Sequence, residues 1–111
     1  MNTAVVGSRS FQDYSFLEEI LDGYTITKIV SGGARGADQL AERYAKDKEI
    51  PTQIFKPDYV RYGKGNPYAG NYSIIDHADQ VVAFWDGKSR GTSHSIKYAQ
   101  KMGKKVYIIP V

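Results

Sequence analysis

Small, basic and hydroxylic residues gather around glycine at several points of this 111-residue sequence. They read Gly7-Ser8-Arg9, Ser31-Gly32-Gly33-Ala34-Arg35-Gly36 and Asp86-Gly87-Lys88-Ser89-Arg90-Gly91-Thr92. Glycine there permits a positive φ and lets a backbone come close to a ligand. Guanidinium, hydroxyl and free backbone N–H donors together can satisfy several oxygens of a phosphate with charge-assisted bonds. One such turn reads equally well as a solvated surface loop. Three of them, all carrying Gly and Arg and all expected at one edge of a sheet, point to an anion site.

Acid–base chemistry has fewer candidates. Asp86 is the weak catalytic candidate, as a carboxylate that could activate water or stabilise an oxocarbenium-like state. Its alternative role is to brace its own turn by accepting backbone N–H bonds. Asp38 reads as a helix-dipole partner that could also hold a ribose hydroxyl. His77 and His94 have no partners at metal-ligand spacing, so no metal is expected. Ser31–Gly36 lacks the Gly-Lys-Ser/Thr end of a Walker loop and the spacing of a dinucleotide fingerprint. No cysteine occurs, which removes disulfides and thiolate chemistry.

A third set is aromatic. Tyr59, Arg61, Tyr62, Lys64, Tyr68 and Tyr72 interleave rings and cations along the loop expected from Pro57 to Asn71 and just after it. Such spacing suits base stacking, a dimer contact, or a lid over a nucleotide with Tyr62, Lys64 and Tyr68 as its candidates. The lid is the expectation, because the segment follows a strand and can fold over the crevice.

The elements that must position these residues alternate. Short apolar strands are expected at Thr3–Val6, Lys28–Val30, Thr52–Phe55, Gln80–Trp85 and Val106–Ile109. Between them, Phe16, Leu17, Ile20 and Leu21 recur at helical spacing, with Asp13 or Ser15 as cap. Ala37, Leu40, Ala41, Tyr44 and Ala45 mark a second helix, Ile74 to Ala78 a short third, and Ile96 to Met102 a last one with Gly103 at its C′ position. The fold class is thus α/β: a small Rossmann-like, doubly wound parallel sheet of five strands in the order 3-2-1-4-5, with helices on both faces. Ligands bind such sheets outside the C-terminal strand ends where the order reverses, between strands one and four.

Composition bounds the rest. Hydrophobic residues make up 41% and charged residues 24%, which excludes a disordered tail, and one domain over 1–111 is expected from the length. The net charge of +3 comes without a basic block longer than Lys104-Lys105, which weighs against a nucleic-acid partner without excluding it. No apolar run approaches the ~20 residues of a membrane span, and no signal segment precedes the first strand, so a cytoplasmic location is expected.

The sequence also resembles a known family. Gly7-Ser8-Arg9-x-Phe11, Val30-Ser31-Gly32-Gly33-Ala34-Arg35-Gly36-Ala37-Asp38 and Ala78-Asp79-x-Val81-Val82-Ala83-Phe84-Trp85-Asp86-Gly87-x-Ser89-x-Gly91-Thr92 are similar to the SLOG superfamily, in its small YspA/YpsA-related branch. That superfamily joins the "lonely guy" phosphoribohydrolases with the DNA-processing DprA/Smf proteins. The resemblance implies a Rossmann-like fold whose turns bind a nucleotide or nucleotide-derived ligand, AMP-, ADP-ribose- or NAD-like. The phosphate-site residues are then Gly7, Ser8, Arg9, Ser31–Gly36, Asp38, Asp86, Gly87, Ser89, Arg90, Gly91 and Thr92. Asn71 joins them, since the branch carries Arg-Asn after a Tyr-Gly-Lys loop and Gly70-Asn71 stands there. Phosphoribohydrolases have a catalytic glutamate where Ser95 stands, so binding is expected before hydrolysis, with single-stranded nucleic acid third. Partners expected are a nucleotide-derived small molecule and further copies of the chain.

Overall fold

Four consecutive residues of the first strand, Thr3 to Val6, are buried, as a strand needs when both its faces are covered. The computed structural model describes residues 1–32, 36–66 and 68–111. It orders them as β1 (Asn2–Gly7), α1 (Tyr14–Leu21), β2 (Lys28–Ser31), α2 (Ala37–Asp47), β3 (Thr52–Ile54), α3 (Tyr59–Tyr62), α4 (Ala69–Asp76), β4 (Gln80–Trp85), α5 (Arg90–Lys101) and β5 (Lys105–Pro110). All five strands are parallel, in the order β3-β2-β1-β4-β5, which is the expected Rossmann-like arrangement.

The sheet grows from β1 in two directions. Right-handed crossovers therefore place the helices of the first half on one face and those of the second half on the other. Side-chain alternation along the strands follows. Val5, Ile29, Val82 and Phe84 pack with Leu17, Leu21, Ala41 and Tyr44 of α1 and α2. Ala4, Val6, Val30, Val81 and Ala83 pack with Ile74, Ile75, Ile96 and Ala99 of α4 and α5. Phe11 stacks on Phe84 at 5.0 Å, pinning the turn after β1 to the end of β4.

Local signals set the helix ends. Asp13 accepts the Phe16 N–H at 3.1 Å and caps α1. At the end of α5, Gly103 has φ +74°, and its N–H and that of Lys104 return to Gln100 O and Ala99 O. That pair of bonds is the Schellman termination.

Two expectations need correction. The edge strands are not apolar through: every residue of β3 is exposed and β5 is half-covered, because only the inner strands have neighbours on both sides. The stretch from Pro57 to Asn71 is also not a plain loop. Asp58 accepts the Arg61 N–H at 3.1 Å and starts α3, while α4 already begins at buried Ala69.

Candidate functional site

Between β1 and β4, where strand order reverses, lies a cleft of about 700 Å³. That size suits a small-molecule ligand. Its floor is built by a close crossing of two turns. A Cβ on Gly36 (φ +74°) would lie 2.6 Å from Ser8 O, and one on Gly7 would lie 2.7 Å from Ala37 Cβ. No side chain fits at either crossing point.

The turn after β4 is held from within. Asp86 accepts the N–H groups of Lys88 and Ser89, each at 2.8 Å. Those backbone donors, Ser89 foremost, hold its carboxyl below the usual carboxylate range. Ser89 Oγ lies 3.2 Å from Asp86 Oδ2 and 2.9 Å from Ser8 Oγ, joining the turn after β4 to the turn after β1. Trp85 Nε1 donates to Ser89 O at 3.0 Å. Asp86 thus performs the bracing role, and it stands outside the cleft lining.

What this turn leaves unpaired is as informative. Ser89 precedes α5 without capping it, and the first turn of α5 holds no acidic residue. The first helical rung runs from Ser93 N–H to Ser89 O, so the N–H groups of Arg90, Gly91 and Thr92 have no acceptor within the helix. Thr92 is 5% exposed, lines the cleft, and makes no side-chain hydrogen bond to any described residue. Arg9 and Arg90, both exposed, line the same cleft. The start of α5 with its N–H groups, a hydroxyl and two arginines thus line one cleft, a set of groups suited to an anion.

Of the expected site residues, the structure gathers Gly7, Ser8, Arg9, Gly32, Asp38, Asn71, Ser89, Arg90, Gly91 and Thr92 into the lining. Ser31 is buried at the end of β2 and Gly36 precedes α2, both beneath the surface of the cleft. Gly87, with φ +81°, shapes the turn but lies outside the lining. Gly33, Ala34 and Arg35 lie outside the described residues. Among the described residues no group of acids and histidines is arranged to hold a metal.

The lid candidates divide. Tyr68 lines the cleft and stacks on His94 at 4.0 Å. Tyr62 does not reach the lining: it donates to Asp76, and packs edge-on against Tyr72 and Tyr98. Burial and that bond push its phenol above the ordinary value. Lys64 sits exposed in the turn between Gly63 and Gly65, away from the lining. Tyr59, at the start of α3, lines the cleft although it is not one of the three lid candidates. Sequence reasoning did not place Ser10, Pro57 or Ser95 in the wall. Ser95 carries the one available signal, its helical spacing from Thr92.

Residues 1–62 match the model of the family described as YspA, cpYpsA-related SLOG. The "Gene 61 protein" of Mycobacterium phage D29 is 35% identical over 81 residues, which span 68% of this chain and 65% of that protein. DNA processing protein A from Helicobacter pylori, a single-stranded DNA-binding protein, superposes over 100% of this chain at a TM-score of 0.72 and 25% identity. This chain covers 66% of that one, so it spans about two thirds of the length of both.

Proposed function

The chain belongs to the YspA, cpYpsA-related SLOG family, and from that premise and the chemistry of the cleft we propose that it captures a nucleotide or nucleotide-derived small molecule by its phosphate. The observation that carries this reading is Thr92. It is a nearly buried hydroxyl with no partner among the described residues, beside three unpaired N–H groups in a cleft that Arg9 and Arg90 also line. Among the described residues no sealed side-chain oxygen lacks a partner, so this hydroxyl opens onto the cleft, where it can bond a ligand in place of water. AMP-, ADP-ribose- and NAD-like molecules are the ligand class. The reading is of capture rather than turnover. Ser95 donates its hydroxyl to Gly91 O at 3.0 Å, and Asp86 is engaged by its own turn.

Thr92→Val tests this, because it removes the hydroxyl and keeps the shape. Melting temperature measured with AMP, ADP-ribose and NAD should rise for the natural chain. The valine variant should lose about ten- to a hundred-fold in affinity, the worth of one hydrogen bond to a charged group, with its ligand-free stability unchanged. No stabilisation by any of the three at millimolar concentration, or a valine variant destabilised without ligand, would count against the reading.

The likeness to the H. pylori protein favours a second reading, single-stranded DNA, and raises nucleic acid above the place its charge count gave it. The two readings separate by salt. A strand engaging many phosphates binds with a steep salt dependence, and one captured nucleotide with a shallow one.

A further inference from the structure

The start of α4 gives the cleft a wall without charge. Tyr68, Gly70 and Asn71 line it there, while the cations of the lining among the described residues, Arg9 and Arg90, belong to the turns after β1 and β4. Tyr68 is fixed from two sides by the chain itself. Its backbone N–H donates to Asn66 Oδ1 at 2.9 Å, and its ring stacks on His94 at 4.0 Å with the planes 14° apart. Tyr68 lines the cleft and His94 does not, so the histidine covers one ring face from behind and the rest of the half-buried ring is turned to the cleft. Asn71 stands three residues on, in the turn that the Tyr72 N–H closes to Tyr68 O at 3.0 Å, so ring and amide share one side of the helix. Gly70 between them adds no side chain. The carboxamide of Asn71 has no hydrogen bond to any described residue and is not sealed, so it opens onto the cleft.

An aromatic ring beside an unpaired amide suits a planar heterocycle and offers a phosphate nothing. Stacking accepts every base, because each has a π-face. The amide is more selective: it sets a donor beside an acceptor, and adenine answers with an amino group beside a ring nitrogen. Reach agrees with this chemistry. His94 follows Arg90 by four residues of α5, a rise of about 6 Å, and Tyr68 lies directly against His94. Helix rise and ring stack together tie the aromatic wall to the arginine-bearing start of α5, at a separation that one sugar spans.

We infer that Tyr68 and Asn71 form a nucleobase subsite in the cleft, which makes the ligand an adenine-type nucleoside phosphate rather than a bare sugar phosphate. This rests on the phosphate reading above. Tyr68 supplies the stacking surface and Asn71 selects the edge of the base, so Asn71 serves the base and not the phosphate. Because Asn66 and His94 already hold Tyr68, little side-chain freedom is lost when a base stacks on it.

The test is calorimetric titration of the full chain with AMP and with ribose 5-phosphate, which differ by the base. AMP should bind about ten-fold or more tightly, the worth of one stacked base. Tyr68→Ala should bring the two affinities within about three-fold of each other, and Tyr68→Phe, which keeps the ring, should preserve the preference. Asn71→Ala should weaken AMP about three- to ten-fold and leave ribose 5-phosphate unchanged. Arg90→Ala should weaken both and preserve their ratio. If Tyr68→Ala fails to fold by circular dichroism, Tyr68→Leu, which keeps bulk without a π-face, takes its place. Equal binding of the two ligands by the natural chain overturns the base assignment and leaves phosphate capture standing. An unchanged preference for AMP in a folded variant without the ring overturns it too, as does an Asn71→Ala that weakens both ligands alike. Binding of neither ligand overturns both readings.

Discussion

The turn after β4 and the tyrosine-rich stretch before α4 are both loops by composition, and they end in opposite states. In the turn, Asp86 takes up the N–H groups of Lys88 and Ser89 and the Ser89 and Ser8 hydroxyls bond each other, while the Thr92 hydroxyl and the N–H groups of Arg90, Gly91 and Thr92 have no partner among the described residues. In the aromatic stretch, polar atoms are consumed. Tyr62 and Tyr98 both donate to the nearly buried carboxylate of Asp76, Tyr72 stacks on Tyr98 at 4.2 Å, and Arg61 stands 3.6 Å from the same acid. On the proposed reading, the difference says where a ligand is held. Binding capacity follows the donors left over after folding, and the tyrosine cluster has used its own to anchor α3 on α4 and α5.

The strongest way to break this contrast is at the crossing of the turns. Gly36→Val combines a positive φ with a Cβ 2.6 Å from Ser8 O, and should destabilise by on the order of 3 kcal/mol or more. Gly65→Ala has the positive φ but nothing within 4 Å, and should cost only about 1–2 kcal/mol. Urea unfolding of the two variants measures the gap, and equal losses would mean that the close crossing is not what shapes the cleft floor.

Asp76→Ala sharpens the contrast from the other side. It strands two half-buried phenols and should lower stability by about 2 kcal/mol in urea, with AMP affinity held within about two-fold. Arg90→Ala should do the reverse, weakening AMP about ten-fold with stability changed by less than about 0.5 kcal/mol. An Asp76→Ala variant that loses affinity as strongly as Arg90→Ala would make the tyrosine cluster part of the site.

The smallest effect is on acid stability. Asp86 is ionised more readily in the native state than in the unfolded chain, where its value is 3.8. Its contribution is therefore fully present above about pH 4 and is lost as pH falls through the lower native value. The acid limb of the thermal midpoint should be slightly shallower in Asp86→Asn than in the natural chain. A limb of unchanged slope would remove the brace assigned to this residue.

Much of the architecture was legible because it is local. The capping of α1 by Asp13 and the glycine end of α5 depend on residues a few positions apart, whereas the strand order, which sets β1 beside β4, was expected from the alternation of strands and helices and the fixed hand of their crossovers. The turns were legible as candidates for a site for the same reason, since glycine beside arginine and serine is a short-range pattern. α3 was missed because its start rests on one Asp58 hydrogen bond, and four residues leave no periodicity to read.

Sequence alone determined which residue types stand at the C-terminal strand ends, through the two-residue strand period, the helical period and the turn chemistry between them. Only the tertiary structure decided which of those residues remain available. Ser8 and Ser89 meet across 81 positions of chain, Tyr98 takes up the second oxygen of Asp76 across 22, and Asp38 joins the cleft wall while Asp86 is left outside it. Those outcomes depend on where distant segments cross, and a hydrogen bond is made or left open by displacements far smaller than any sequence pattern encodes.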